Sequence, residues 1–150
     1  HSRWNEGYAS SLGVVRRWPV WQSGSGQQLI AGLGAGVYQL KSGTGVDAKD
    51  ESRPALRGQV EWNSPLAGGN LFALAQASTF HGSALVAAQY QFAGSRSGVF
   101  ASSYREQGYR SSSFGFQAPI GDSRVWFFRV GGTYSDQRTR PFIGLTYNGF

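Results

Sequence analysis

The chain has no cysteine and no methionine among its 150 residues, and only two histidines, His1 and His81. The absence of cysteine excludes disulfide bonds, thiolate nucleophiles and metal sites built on cysteine, and it leaves the redox compartment open. Two histidines are too few for a histidine-rich metal site. We therefore expect neither a metal nor another cofactor.

Long apolar runs are absent as well. No stretch of about 18 consecutive apolar residues occurs, which excludes an ordinary transmembrane helix. No signal peptide opens the sequence, so we expect either a cytoplasmic protein or the mature form of an exported one. Acidic residues are few: eight Asp and Glu stand against 14 Lys and Arg, for a formal charge of +6. This excess favours an anionic partner such as nucleic acid, phospholipid or lipopolysaccharide phosphate.

Glycine (22 residues) and aromatic residues (15 %) are abundant, and the length suits one domain spanning 1–150. From residue 27 onward, apolar residues alternate with polar or small ones, and turn clusters interrupt the pattern. Leu33 and Val37, for example, fall on one face, with Gly34 and Gly36 on the other. This period of two predicts eight strands, at 27–41, 54–63, 70–81, 83–93, 98–108, 110–120, 123–135 and 140–150.

Such strands occur in soluble sandwiches and in transmembrane barrels, because apolar and polar residues alternate along the strands of both. Trp62, Trp126 and Tyr134 fall near strand ends on the apolar faces, as the aromatic girdles of membrane barrels do. The glycines on the polar face of the first predicted strand would fit the narrow interior of an eight-stranded barrel. We therefore predict an all-β fold, an eight-stranded antiparallel up-and-down transmembrane barrel over 27–150. A soluble antiparallel domain, for instance a carbohydrate-binding sandwich, is the alternative.

The segment "RWNEGYASSLGVVRRW" at 3–18 precedes these strands. Trp4, Tyr8, Leu12 and Val15 recur at helical spacing, and Pro19 would end a helix. A ninth strand is one alternative, but bacterial single-chain barrels have even strand numbers. A disordered N-terminus is the other. We therefore predict an interfacial amphipathic helix, with residues 1–21 forming the helix and its headgroup anchor. The anchor would comprise Arg16, Arg17, Trp18 and Trp21.

An amphipathic helix followed by eight strands, in a chain of this size, resembles the lipid A palmitoyltransferase (PagP) family of outer-membrane enzymes. The resemblance covers the whole chain as architecture and includes one short motif, "SRWNE" at 2–6. It implies a monomer in the bacterial outer membrane that moves a palmitoyl chain from phospholipid to lipid A, using a His, an Asp and a Ser in the outer loops. The loop "KSGTGVDAKDESRP" has carboxylates but no His, and "TFHGSA" has His81 and Ser83 but no Asp. The triad is therefore not carried over residue by residue.

The tripeptide "HGS" at 81–83 is also similar to the His-x-Ser pair of the lipid A 3-O-deacylases, which are eight-stranded barrels too. The Asn-Ala-Gly that adjoins this pair in that family is missing here. The final Phe150 resembles the terminal aromatic residue that outer-membrane assembly machinery reads. The alternating apolar residues before it, Ile143, Leu145 and Tyr147, have odd numbers, so they would lie on the opposite face of a strand from Phe150 and depart from that signal.

His81 and Ser83 are the candidate catalytic residues. Residues i and i+2 of a strand share a face, so the imidazole could take the serine proton and make a nucleophile for acyl transfer or hydrolysis. A carboxylate would orient the ring, and Asp50 and Glu106 are both candidates. The alternative interpretation is a rim histidine beside a turn serine.

Basic residues cluster at the same predicted outer end. We expect four of them to bind lipid A phosphates: Arg105, Arg110, Arg138 and Arg140. Carboxylates in the same loops leave a self-paired rim as the alternative. Nucleic acid is not expected, because the basic residues do not interleave with aromatic ones on one face. The sequence thus predicts an outer-membrane acyltransferase acting on phospholipid and lipid A. A lipid A deacylase and a non-catalytic barrel that binds lipopolysaccharide are the alternatives.

Overall fold

The computed structural model describes residues 2–4, 7–42, 49–121, 125–135 and 137–147, and within them the side chains of 12–39, 51–80, 82–121, 125–135 and 137–146. Antiparallel strands form one open sheet in which each strand pairs with its neighbours in chain order. The strands are Ser2–Trp4 (β1), Gly7–Gln22 (β2), Gln28–Ser42 (β3), Lys49–Leu66 (β4), Gly69–Ser78 (β5), Ser83–Gln91 (β6), Gly98–Glu106 (β7), Tyr109–Pro119 (β8), Trp126–Ser135 (β9) and Arg138–Tyr147 (β10).

The all-β, antiparallel, up-and-down character is confirmed, and the eight predicted strands correspond to β3–β10. The predicted number of strands is wrong, because β1 and β2 precede them in the same sheet. The connections β3–β4, β5–β6, β7–β8 and β9–β10 share one end of the sheet, which we call end A. The connections β2–β3, β4–β5, β6–β7 and β8–β9 share the opposite end, end B. Strands β2 and β10, on opposite sides of the sheet, therefore run in the same direction, from end A to end B.

The helix predicted over 3–18 is wrong. Residues Gly7–Gln22 form a strand that pairs with β3 from Gly7↔Ser42 to Gln22↔Gln28, with a bulge between Pro19 and Trp21. Leu12 and Val14 point to one face and Val15 to the other, so the segment fits a period of two as well as the helical spacing. The ladder to β3 provides the backbone hydrogen bonds that a helix would otherwise form internally. Within the described residues, no helix is long and apolar enough to span a membrane.

The two faces of the sheet have an inverted distribution of side chains. Among the described residues, Phe127 is the one buried large apolar side chain, whereas Glu61, Gln117 and Ser135 on the same, inward face are buried polar ones. The opposite, outward face carries an apolar belt that is left exposed: Leu33, Val37, Leu56, Val60, Val86, Phe114, Phe116, Phe128, Val130, Ile143 and Leu145. Arg16, on β2 opposite Leu33, is the one charged side chain in the described part of this belt.

The accessible surface of the chain reflects this inversion. It amounts to 10355 Å², whereas a folded monomer of this mass exposes about 7500 Å². Ile143 is 75 % exposed and Leu56 is 64 % exposed. Large apolar side chains in the core of a soluble protein are buried. The apolar belt is therefore not covered by any described part of the chain.

The inward face curves because glycines line it. One row across β7–β10 reads Phe100, Gly115, Gly131 and Phe142. A Cβ at either central glycine would collide with the backbone of the neighbouring strand. Because the two central positions carry no side chains, the two phenylalanine rings meet over them with their centroids 6.1 Å apart.

Two arginines on the inward face are held by polar side chains of other strands. Arg17 on β2 donates to both carboxylate oxygens of Glu61 on β4 at 3.2 Å, and Gln59 donates to the same carboxylate at 2.5 Å. Arg129 on β9 donates to the Gln117 side-chain oxygen at 2.9 and 3.1 Å and lies 4.6 Å from the centroid of the Phe100 ring. These pairs fill the concave side with polar contacts in place of a hydrophobic core.

Candidate functional site at end A

An inward-facing cluster occupies end A, where β3, β6 and β7 finish or begin. It consists of Tyr38 on β3, Phe80 in the β5–β6 connection, Ser83 at the start of β6, and Tyr104 and Glu106 on β7. Strand alternation places Tyr38 on the same face as the glycines of β3 and places Tyr104 and Glu106 together on β7. On β7 the cluster lies beyond the apolar belt, since the outward neighbours of Tyr104 are the polar Ser103 and Arg105. On β3 it adjoins the belt, because Tyr38 follows Val37.

Tyr104 lies between two polar members of this cluster. It donates its proton to Glu106 Oε2 at 2.7 Å and lies beside the Ser83 hydroxyl. Burial, together with the bond to the Glu106 carboxylate and its charge, raises the pKa of Tyr104 to about 12. The phenol therefore stays neutral at physiological pH.

The β5–β6 connection is a 3₁₀ turn, Phe80–Gly82. Gly82 has a φ of +57°, which favours glycine and reverses the chain. Thr79 fixes the turn to β4: its backbone N–H donates to the Leu56 carbonyl and its hydroxyl accepts from the Leu56 N–H, both at 3.0 Å. The Phe80 ring stacks on Tyr38, with centroids 3.3 Å apart and planes 25° apart. The turn is thus held over the inward face, beside Ser83.

A cavity of about 220 Å³ opens within this cluster. Tyr38, Phe80, Ser83 and Tyr104 line it, together with Arg57 on β4. Ser83 is half-buried. The cavity thus combines the hydroxyls of Ser83 and Ser78, the three aromatic rings and one guanidinium.

Of the two predicted catalytic residues, the structure describes the side chain of only one, Ser83. Ser83 faces inward opposite Ser78. The His81 side chain lies outside the described residues, and its backbone belongs to the 3₁₀ turn. The premise that residues 81 and 83 share the face of an extended strand is therefore wrong, because the chain turns between them. Of the two candidate carboxylates, Glu106 is linked to Ser83 through Tyr104, and the Asp50 side chain lies outside the described residues.

The four arginines predicted to bind lipid phosphate do not form one group. Arg105 on β7 and Arg110 on β8 lie directly opposite each other and are exposed. Arg138 and Arg140 lie on β10 in register with Ser135 and Thr133, on the row that faces inward. The structure thus separates an outward pair from an inward pair. No group of three or more potential metal-ligating side chains occurs in the described part of the chain.

Tyr38, Phe80 and Tyr104 were not predicted from the sequence as site residues. The alternation along β3 does assign Tyr38 to the glycine face, so a large polar ring on an otherwise bare surface was the available signal. No comparable signal existed for Phe80, because its position depends on the turn. Comparisons of the chain with protein-family models, with curated proteins and with solved structures found no match.

Proposed function

We propose that this protein is an integral protein of the bacterial outer membrane, a transmembrane barrel whose apolar belt contacts lipid. The supporting observation is the inverted distribution of side chains, with buried polar residues on the inward face and exposed apolar residues on the outward one. Strands β5–β10 have nine to eleven residues, the length that crosses a bilayer when a strand is tilted. Trp62 and Trp126 near end B and Tyr134 near end A flank the belt on its outward side.

The absence of cysteine makes a direct test of this placement possible, because each introduced cysteine is unique. Val86→Cys and Ala88→Cys place a nitroxide label on the outward face of β6, and Ala87→Cys places one on the inward face. In lipid vesicles, we expect collisions with oxygen, which concentrates in lipid, to be frequent at 86 and 88 and rare at 87. If a water-soluble nickel complex instead collides most often at 86 and 88, the outward face is in water and the proposal is wrong.

Within that placement, we propose acyl transfer from phospholipid to lipid A at end A, with Ser83 as the nucleophile. The Ser83 oxygen would attack the ester carbonyl of the phospholipid while His81 accepts the serine proton. The ester C–O bond then breaks, and His81 returns the proton to the departing lysophospholipid. A lipid A hydroxyl next attacks the acyl-serine, its proton passes to His81 and then to Ser83, and the acylated lipid A leaves. The observation that supports this role is the cavity beside Ser83, which is lined by aromatic rings and one guanidinium.

Mass spectrometry of lipid A tests the reaction. The purified protein is incubated in mixed micelles with phospholipid and lipopolysaccharide, and lipid A heavier by one acyl chain is the expected product. Ser83→Ala and His81→Ala should abolish it, whereas Ser102→Ala, on the inward face of β7 but outside the lining of the cavity, should retain it. A lighter lipid A would instead indicate a deacylase. Unchanged lipid A from a folded protein would indicate a non-catalytic barrel that binds lipopolysaccharide.

A further inference from the structure

The outward face of the β7–β8 hairpin carries a graded ladder of cross-strand pairs. From end A towards end B the pairs are Arg105↔Arg110, Ser103↔Ser112, Ala101↔Phe114 and Val99↔Phe116. Two cations come first, then two hydroxyls, and then the apolar belt. This order complements a phosphate-bearing lipid, in which an anionic phosphate is followed by a polar glycerol ester region and then by the acyl chains.

The first pair is unfavourable as it stands. Side chains directly opposite on neighbouring strands are about 4.5–5.5 Å apart at Cβ, and like charges in that position destabilise a sheet. Among the described residues, Arg17 and Arg53 are each paired with a glutamate, but no carboxylate pairs with Arg105 or Arg110. The nearest carboxylate along β7, Glu106, points to the inward face and accepts from Tyr104. A bound anion would therefore relieve the repulsion between the two guanidinium groups.

The surroundings of the pair suit a phosphate. Ser112 donates to Ser103 at 3.3 Å, so two hydroxyls lie one step below the guanidinium groups. An open depression of about 1380 Å³ passes over both pairs and is bordered by Tyr134 on β9. Guanidinium groups bind phosphate oxygens through paired hydrogen bonds, which makes two of them a strong phosphate site.

We propose that Arg105 and Arg110 bind the phosphate of a membrane lipid whose acyl chains lie along Phe114 and Phe116. The proposal rests on the lipid-facing placement of the apolar belt and does not require acyl transfer. A lipid is favoured over free phosphate because the outward row of the hairpin continues from the two hydroxyls to Phe114 and Phe116, which could contact acyl chains but offer inorganic phosphate no polar partner. Arg138 and Arg140 provide a matched control, because they carry the same charge at the same end of the sheet on the inward row.

The test is calorimetric titration of the folded protein in nonionic detergent micelles with dioctanoyl phosphatidic acid, dioctanoyl glycerol or inorganic phosphate. Phosphatidic acid should bind, and the uncharged glycerol lipid should not. Arg105→Gln/Arg110→Gln should weaken phosphatidic acid binding at least tenfold, and Arg138→Gln/Arg140→Gln should change it less than twofold. The first double variant should also be at least as stable as the parent without lipid, since it removes a repulsion.

Three results would overturn the proposal. Equal binding by the parent and Arg105→Gln/Arg110→Gln would show that the pair is not the site. Equal losses in both double variants would indicate general attraction by positive charge. Inorganic phosphate binding as tightly as phosphatidic acid would indicate a free-anion site. None of these depends on acylation, and the nitroxide measurement on β6 tests the membrane placement separately.

Discussion

The Arg17–Glu61 pair gives the sharpest prediction about what holds the sheet together. It joins β2 to β4 across β3 on the inward face, and the Glu61 side chain is only 6 % exposed. Arg17→Met leaves that carboxylate with Gln59 as its one remaining partner in the described structure. An uncompensated buried charge costs about 3–5 kcal/mol. Because the Arg17 side chain is itself 42 % exposed, water already screens the pair, and we expect a loss of about 2 kcal/mol.

Equilibrium unfolding in urea, followed by the fluorescence of the five tryptophans in lipid vesicles, measures this loss. Glu61→Met should cost less than Arg17→Met, because a partly exposed guanidinium can be solvated. The double variant should be more stable than the sum of the single losses predicts, with a coupling of about 1 kcal/mol or more. Additive losses, or an Arg17→Met variant within about 0.5 kcal/mol of the parent, would refute the idea that this pair fixes β2.

Three further predictions concern the two faces and end A. Gly131→Ala should destabilise the protein by about 1–3 kcal/mol in the same urea assay, because its Cβ would meet the β8 backbone; Gly132→Ala, which has room for a Cβ, is the control. Val86→Arg should cost about 2–4 kcal/mol in vesicles if it faces lipid, and little if it faces water. Tyr104 should ionise near pH 12 by ultraviolet absorbance, and Glu106→Gln should lower that value. The stability that neutral Tyr104 contributes should be complete below pH 10 and lost as the pH rises to about 12.

The strands from β3 onward could be predicted because alternation is a local property of the sequence. Each predicted segment carries its own apolar face and its own turn signals, and no distant residue is needed to recognise them. Residues 7–22 could not be assigned in this way. Leu12 fits both a helical stripe with Val15 and a strand face with Val14, and the choice is made by the ladder to β3, which is a tertiary interaction. The even-strand argument then favoured the wrong alternative.

The candidate site was predictable only in part, for a related reason. Gln107 and Gly108 form a two-residue turn, and Gly108 has a φ of +78°, so the hairpin rule alone sets Arg105 opposite Arg110. The link from Ser83 to Tyr104 depends instead on the register between β6 and β7, where Leu85 pairs with Tyr104. That register follows from the longer loop over 92–97, whose conformation the sequence pattern does not specify. Residues adjacent through a tight turn were therefore recoverable, and residues brought together by a long loop were not.

The common direction of β2 and β10 restricts how the sheet can close into a cylinder. If these two strands paired with each other, they would form a parallel seam in an otherwise antiparallel wall. An antiparallel seam requires an odd number of strands between them, and the smallest such number is one. Ser2–Trp4 already runs antiparallel to β2 at end A, with Trp4 opposite Gly7, and so has the direction that such a strand needs. Closure through that position would give a ten-strand circumference, and the parity of outer-membrane barrels would be restored.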